Sequence, residues 1–171
     1  MSSKLTPDDL GPAAGDAGLS EVDIVRVRTF RMIILLAQEL RTLMDQRLRP
    51  DGLTTQQAAL ITVVDNLGAP SLSMAAAALG TTHQNARQIA DALARKGFLT
   101  ITADAADARV RRLQSTEQSR DYWAQRSGSD QQHVADWFGD LDGADAATLF
   151  SLLATVERRA RSELARPARG G

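Results

Sequence analysis

Residues 71–113, SLSMAAAALGTTHQNARQIADALARKGFLTITADAADARVRRL, decide the fold. Pro70 and Ser71 open a short helix over Leu72–Leu79, and Gly80 ends it, because glycine enters the left-handed region without a Cβ clash. Thr81 or Thr82 caps the next helix, where Ala86, Ile89 and Leu93 recur at helical spacing and face inward. Gly97 breaks that helix, and Phe98–Thr102 and Val110–Gln114 read as two strands around the polar loop Ala103–Arg109. Helix, turn, helix and hairpin in this order build a winged helix-turn-helix. Such a unit offers one helix to a DNA groove and one loop to the backbone beside it.

The second helix carries the chemistry. With its apolar stripe inward, His83, Gln84, Arg87 and Gln88 fall on open faces and Asn85 lies at the margin. A helix fits the major groove, where Gln or Asn pairs with adenine and Arg with guanine. The Thr82 hydroxyl and the first free N–H groups of the helix suit a phosphate instead. At the hairpin tip, Arg109 suits the minor groove or a phosphate. Asp107 has two alternatives: an exposed ion pair with Arg109, worth about 0–1 kcal/mol, or acceptance of backbone N–H bonds that shape the loop. Period two selects Arg111 rather than Arg112 for the side that Arg109 faces.

Composition narrows the rest. The 171 residues are 43% hydrophobic, enough for one or two tightly joined domains without disulfides or metal. Cysteine is absent, which removes thiolate chemistry and Cys-based metal sites. His83 and His133 lack metal-ligand spacing, and there is no glycine-rich phosphate loop, so neither cofactor nor enzyme is expected. No apolar run reaches the roughly 18–20 residues of a membrane span, and no signal peptide is legible, so a cytoplasmic protein is expected. Net charge is −1, but its distribution is uneven. From His83 to Leu113, six basic residues (Arg87, Arg95, Lys96, Arg109, Arg111, Arg112) face three acidic ones (Asp91, Asp104, Asp107). From Thr116 onward, seven basic residues meet nine acidic ones.

Outward from the centre, residues 1–19 read as a flexible tail rich in Gly and Pro. Residues 20–50 form a long helix that Ser20 caps and Arg49-Pro50 ends, and Phe30–Ala37 is apolar on more than one face. The winged unit spans 51–115 and begins with a helix from Thr54 or Thr55 to about Asn66. Residues 116–165 hold two further helices, one capped by Thr116 and loosened near Gly128, one over about Asp145–Leu164, before a tail at 166–171. The terminal helices carry Ile24, Val27, Phe30, Ile34, Tyr122, Trp123, Trp137, Phe138 and Phe150. A thin winged unit cannot cover all these faces, so a two-fold partner is expected to do so. The predicted class is mainly α with a small β-hairpin wing, a winged helix-turn-helix between N- and C-terminal dimerisation helices.

Several short pieces in this order resemble the MarR family of bacterial winged-helix transcriptional regulators. They are Leu53-Thr54-Thr55-Gln56-Gln57, Leu79-Gly80-Thr81-Thr82, Leu93 with Lys96-Gly97-Phe98-Leu99, and Asp107-Ala108-Arg109, with the likeness running from about Arg26 to Leu164. The resemblance implies a homodimer whose terminal helices interlock and whose two wings reach a near-palindromic operator in double-stranded DNA. It implies that the Thr82–Lys96 segment is the recognition helix, with Arg109 the wing-tip arginine and Asp107 its companion. It also implies a repressor of transcription that a small aromatic effector releases from DNA. Ala75 and Ala86 stand where that family usually has larger apolar residues, each a loss of about 1–3 kcal/mol if no neighbour fills the space. The alternative is a protein-interaction module that keeps the winged fold without binding DNA.

Overall fold

The computed structural model describes residues 18–166. The expected tails at 1–19 and 166–171 lie outside the described residues except for Gly18, Leu19 and Arg166. The chain divides into two compact units, one as far as Ser119 and one from Arg120 onward.

In the first unit, α1 (Glu21–Leu48) leads through a 3-10 turn (Arg49–Asp51) to α2 (Thr55–Leu67), α3 (Leu72–Ala78) and α4 (His83–Arg95). The hairpin β1 (Leu99–Ala103) and β2 (Arg111–Ser115) follows, and α5 (Glu117–Trp137) begins in this unit. Each helix start is a local hydrogen-bond event. Ser20, Ser71 and Thr82 accept the N–H three residues on, and Thr54 with Gln57 closes a reciprocal capping box. Asp45 of α1 adds a cap from a distance, since its Oδ1 accepts the Thr55 N–H at 2.6 Å and the Thr55 hydroxyl at 2.7 Å. Burial pushes the Asp45 carboxyl up, but the two Thr55 bonds together with the charges of Arg41 and Arg49 outweigh it and hold the group below its ordinary value.

The expected helices form, with shifted edges that have identifiable causes. The Phe98 N–H bonds back to Leu93 O and the Gly97 N–H to Ala94 O, a Schellman ending around left-handed Gly97. That ending engages Phe98, so β1 starts one residue later than expected, at Leu99. Val110 closes the loop instead of opening the strand: its N–H bonds Asp107 O and its carbonyl accepts Asp104 N–H. The α3 end repeats the Schellman pattern, with Thr81 N–H on Ala76 O and Gly80 N–H on Ala77 O.

The core of this unit lies where α4 crosses α2 and α3 and receives β1. Ala86, Ile89, Ala90 and Leu93 are buried along one stripe of α4. Antiparallel pairing sets Ile101 opposite Leu113 and Leu99 opposite Ser115, so the buried Leu99 and Leu113 share the inner hairpin face. Ala75 and Ala86 are both 0% exposed. Their small side chains are enclosed in the core rather than leaving an open surface gap.

In the second unit, α5 continues without interruption through Gly128, contrary to the expected loosening. Tyr122 and Trp123 meet edge-on at 5.0 Å, Arg126 stacks over Tyr122 at 5.8 Å, and Arg126 Nε donates to Asp130 Oδ2 at 2.6 Å. The last helix, α6, spans Gly143–Leu164 and starts two residues before the sequence suggested. Asp142 is the reason: its Oδ1 accepts the N–H groups of Ala144 and Asp145, each at 2.8 Å. Among the described residues, no helix is long and apolar enough to cross a membrane.

Enclosure of Ala75 yields a test. Ala75→Leu should destabilise the protein by about 1–3 kcal/mol through overpacking. Urea denaturation that instead gives a higher midpoint would reveal an unfilled space at this site.

Candidate nucleic-acid interface

The first two turns of α4 present the polar set. His83, Gln84, Arg87 and Gln88 are exposed, because the buried stripe beginning at Ala86 occupies the other side. Asn85 is half-buried and its Nδ2 donates to Thr81 Oγ1 at 2.8 Å, so its amide is partly engaged inside the turn. Thr82 is exposed, and its Oγ1 accepts the Asn85 N–H at 3.2 Å. That use leaves the hydroxyl proton available for an outside acceptor.

The wing loop is shaped by carboxylates. Asp104 Oδ1 accepts N–H bonds from Ala106 at 2.9 Å and Asp107 at 3.2 Å, while Oδ2 takes Arg112 Nε at 2.6 Å. Arg112 Nη1 reaches on to Ala69 O at 3.4 Å. Asp107 Oδ1 accepts the backbone N–H of Arg109 at 2.9 Å, the loop-shaping alternative of the two open for that pair. Arg109 itself is exposed at the tip.

Helix and wing meet at one recess of about 130 Å³. Its floor is Leu72, Ala90, Ile101 and Leu113, and its rim holds Arg87, Asp91 and Arg111. Arg111 lies there because it shares the inner strand face with Leu113, whereas Arg112 turns to the other face and pairs with Asp104. Arg87 and Arg111 thus line the same recess, and Arg109 lies two residues before Arg111, toward the loop tip. Of the basic residues, Lys96 is engaged internally, donating to Gly52 O and to Gln57 Oε1.

Sequence reading missed the strut made by Asp104, Arg112 and the α2–α3 connection. In that connection Ala69 takes a left-handed φ of 57°, Pro70 O accepts the Leu113 N–H at 3.0 Å, and Ser71 bridges to Arg112. The one local signal was Asp104 itself, an acceptor two and three residues before N–H groups in a Gly-free loop. Its partner Arg112 lies eight residues on and is found only once the strand register is known.

The arrangement defines a winged helix-turn-helix. Residues 51–110 match the model of the MarR family. Solved structures share the wider fold at low identity. A MarR protein from Peptoclostridium difficile superposes with TM-score 0.73 at 15% identity, over 79% of this chain and 88% of that one. A mutant MarR from E. coli, complexed with operator DNA, gives 0.71 at 19% identity over 80% and 99%. BpsR of Bordetella bronchiseptica, whose DNA binding is regulated by 6-hydroxynicotinic acid, gives 0.69 at 20% identity over 76% and 98%. A search of curated proteins found no match.

The wing should respond to acid in a defined direction. The N–H of Ala106, the Arg112 side chain and the N–H of Asp107 hold the Asp104 carboxyl below its ordinary value of 3.8. A lowered folded value means that the stabilisation is complete above the unfolded value and is lost as pH falls through the folded one. Amide NMR shifts of Ala106 and Asp107 should therefore stay constant down to about pH 5 and titrate with a midpoint below 3.8. A midpoint at or above 3.8 would contradict this role for Asp104.

Proposed function

We propose that this chain is a sequence-specific regulator of transcription that binds double-stranded DNA as a homodimer. The observation that supports the reading most is the recess that Arg87 of α4 and Arg111 of the wing both line. A helix with exposed polar first turns and an adjoining arginine-bearing hairpin suit one duplex, the helix in the major groove and the wing on the backbone or minor groove beside it. His83, Gln84, Arg87 and Gln88 read base edges, with Asn85 contributing at the margin. Thr82 and the first α4 amides hold a phosphate, Arg109 enters the minor groove, Arg111 meets the backbone, and Asp107 keeps the tip in shape.

Residues 51–115 serve as the DNA-binding domain, and 20–50 and 116–165 supply the dimer contacts. Exposed apolar residues support the second role: Val25, Phe30 and Ile34 on α1, and Phe150, Leu152 and Val156 on α6, with Phe150 75% exposed. A two-fold dimer presents two α4 helices to half-sites about one helical turn apart, hence a near-palindromic operator. The protein acts in the cytoplasm as a repressor that a small aromatic effector releases, a reading supported by the likeness to BpsR. Release requires that the effector favour one conformation over the other. If no aromatic acid in a screen alters operator affinity, a constitutive binder is the better account.

Selection from random duplexes, followed by binding across a salt series, tests the core of this reading. Affinity should fall steeply with salt. Arg109→Ala should weaken all sequences and lower the salt slope by about 1, whereas Gln84→Ala should cost roughly 1–3 kcal/mol at one base position. A selection that yields no preferred sequence would favour the protein-interaction module instead. Sedimentation at micromolar concentration should show a dimer, and Phe150→Glu with Val156→Glu should shift it to monomer. A monomeric parent protein removes the dimer from the account.

A further inference from the structure

The charge that stands out at the recess is the negative one. Asp91 lies one turn after Arg87 on α4, with its Oδ2 3.7 Å from Arg87 Nε. It shares the recess with Arg111 of the wing. A carboxylate beside a proposed phosphate-facing surface lowers affinity for any polyanion, so a surface shaped only for affinity has no use for it. Its geometry suggests another use. At 3.7 Å the contact exceeds the 2.7–2.9 Å of a direct charge-assisted bond, and both side chains are partly open, Arg87 at 66% and Asp91 at 44% exposure. Such an exposed pair is weak, so it can bias the guanidinium but not lock it. It also addresses Nε, the inner nitrogen, and leaves Nη1 and Nη2 to form the fork that guanine O6 and N7 accept.

We propose that Asp91 is a positioning residue for base recognition: it aims the Arg87 fork outward and offsets the charge of Arg87 and Arg111, exchanging general affinity for discrimination. This rests on the DNA-binding reading above. The carboxylate narrows the rotamers open to a long side chain before DNA arrives, so less freedom is lost on binding a base edge. It also makes a phosphate a poorer competitor for the same guanidinium, since the phosphate must approach a fixed negative charge.

The experiment compares the parent protein with Asp91→Asn and Asp91→Glu. Asp91→Asn keeps the shape and removes the charge. Binding is measured to the selected duplex, to duplexes changed at single positions, and to random-sequence DNA. In the absence of DNA, 15N relaxation of Arg87 Nε reports its order. The expected result is that Asp91→Asn loses about tenfold of discrimination at one guanine position while gaining affinity for random DNA. Arg87 Nε becomes more mobile, and Asp91→Glu restores part of both effects. An unchanged Nε order parameter with unchanged base preference would overturn the role of Asp91 even where the parent binds DNA specifically. A uniform loss across all duplexes would assign Asp91 to structure alone and overturn it as well. Failure of the parent protein to select any sequence strikes the DNA-binding reading itself, and this inference with it.

Discussion

The hairpin is held by one apolar contact face, and the candidate interface depends on it. Two strands alone are marginal in water. Here Leu99 and Leu113 are buried on the inner face, Ile101 sits opposite Leu113 on the same face, and β1 and β2 pack on α4 and α2. This face fixes the wing against the helix. Once it is closed, strand alternation carries Arg111 to the rim beside Arg87 and turns Arg112 away. The polar geometry of the recess is therefore a consequence of hydrophobic register, since a slip of one residue would exchange the two arginines.

A second layer restrains the outer end of the wing. The α2–α3 connection runs alongside β2, with the Pro70 carbonyl on the Leu113 N–H and the Ala69 carbonyl near the Arg112 guanidinium. Ala69 adopts a left-handed conformation that non-glycine residues avoid, and the surrounding bonds hold it there. Asp104 completes the strut by tying Arg112 to the two N–H groups of the loop. The tip arginine thus projects from a loop organised by carboxylates, with its guanidinium left exposed.

Local signals in the sequence were read well because they act within a few residues. Ser20, Ser71 and Thr82 cap helices through the N–H three positions on, and Gly80 and Gly97 end helices by turning left-handed. Spacing along α4 was enough to separate its buried stripe from its exposed polar turns. Edges failed where a neighbouring element competed for the same atoms, as at Phe98, whose N–H belongs to the helix ending rather than to β1. Asp142 was not read as a cap, so the last helix was expected to start near Asp145 rather than at Gly143. The strut of Asp104, Arg112 and Ala69 was not legible, since it joins residues up to 43 positions apart. The proximity of Arg87 and Arg111 required the hairpin register and its docking on α4, neither of which a period-two pattern supplies. Ala75 and Ala86 illustrate the same limit: as letters they suggest missing volume, whereas packing encloses them.

The proposal that α4 and the wing address one duplex together has a direct geometric test. Because the chain contains no cysteine, a single one can be introduced at Gln88 or at Ala108, both exposed, and loaded with iron-EDTA for affinity cleavage. Both positions should cut the same half-site of a selected operator, with centres about five base pairs apart, roughly half a helical turn. Cleavage from α4 without cleavage from the wing, or cuts that fall in unrelated places, would contradict it.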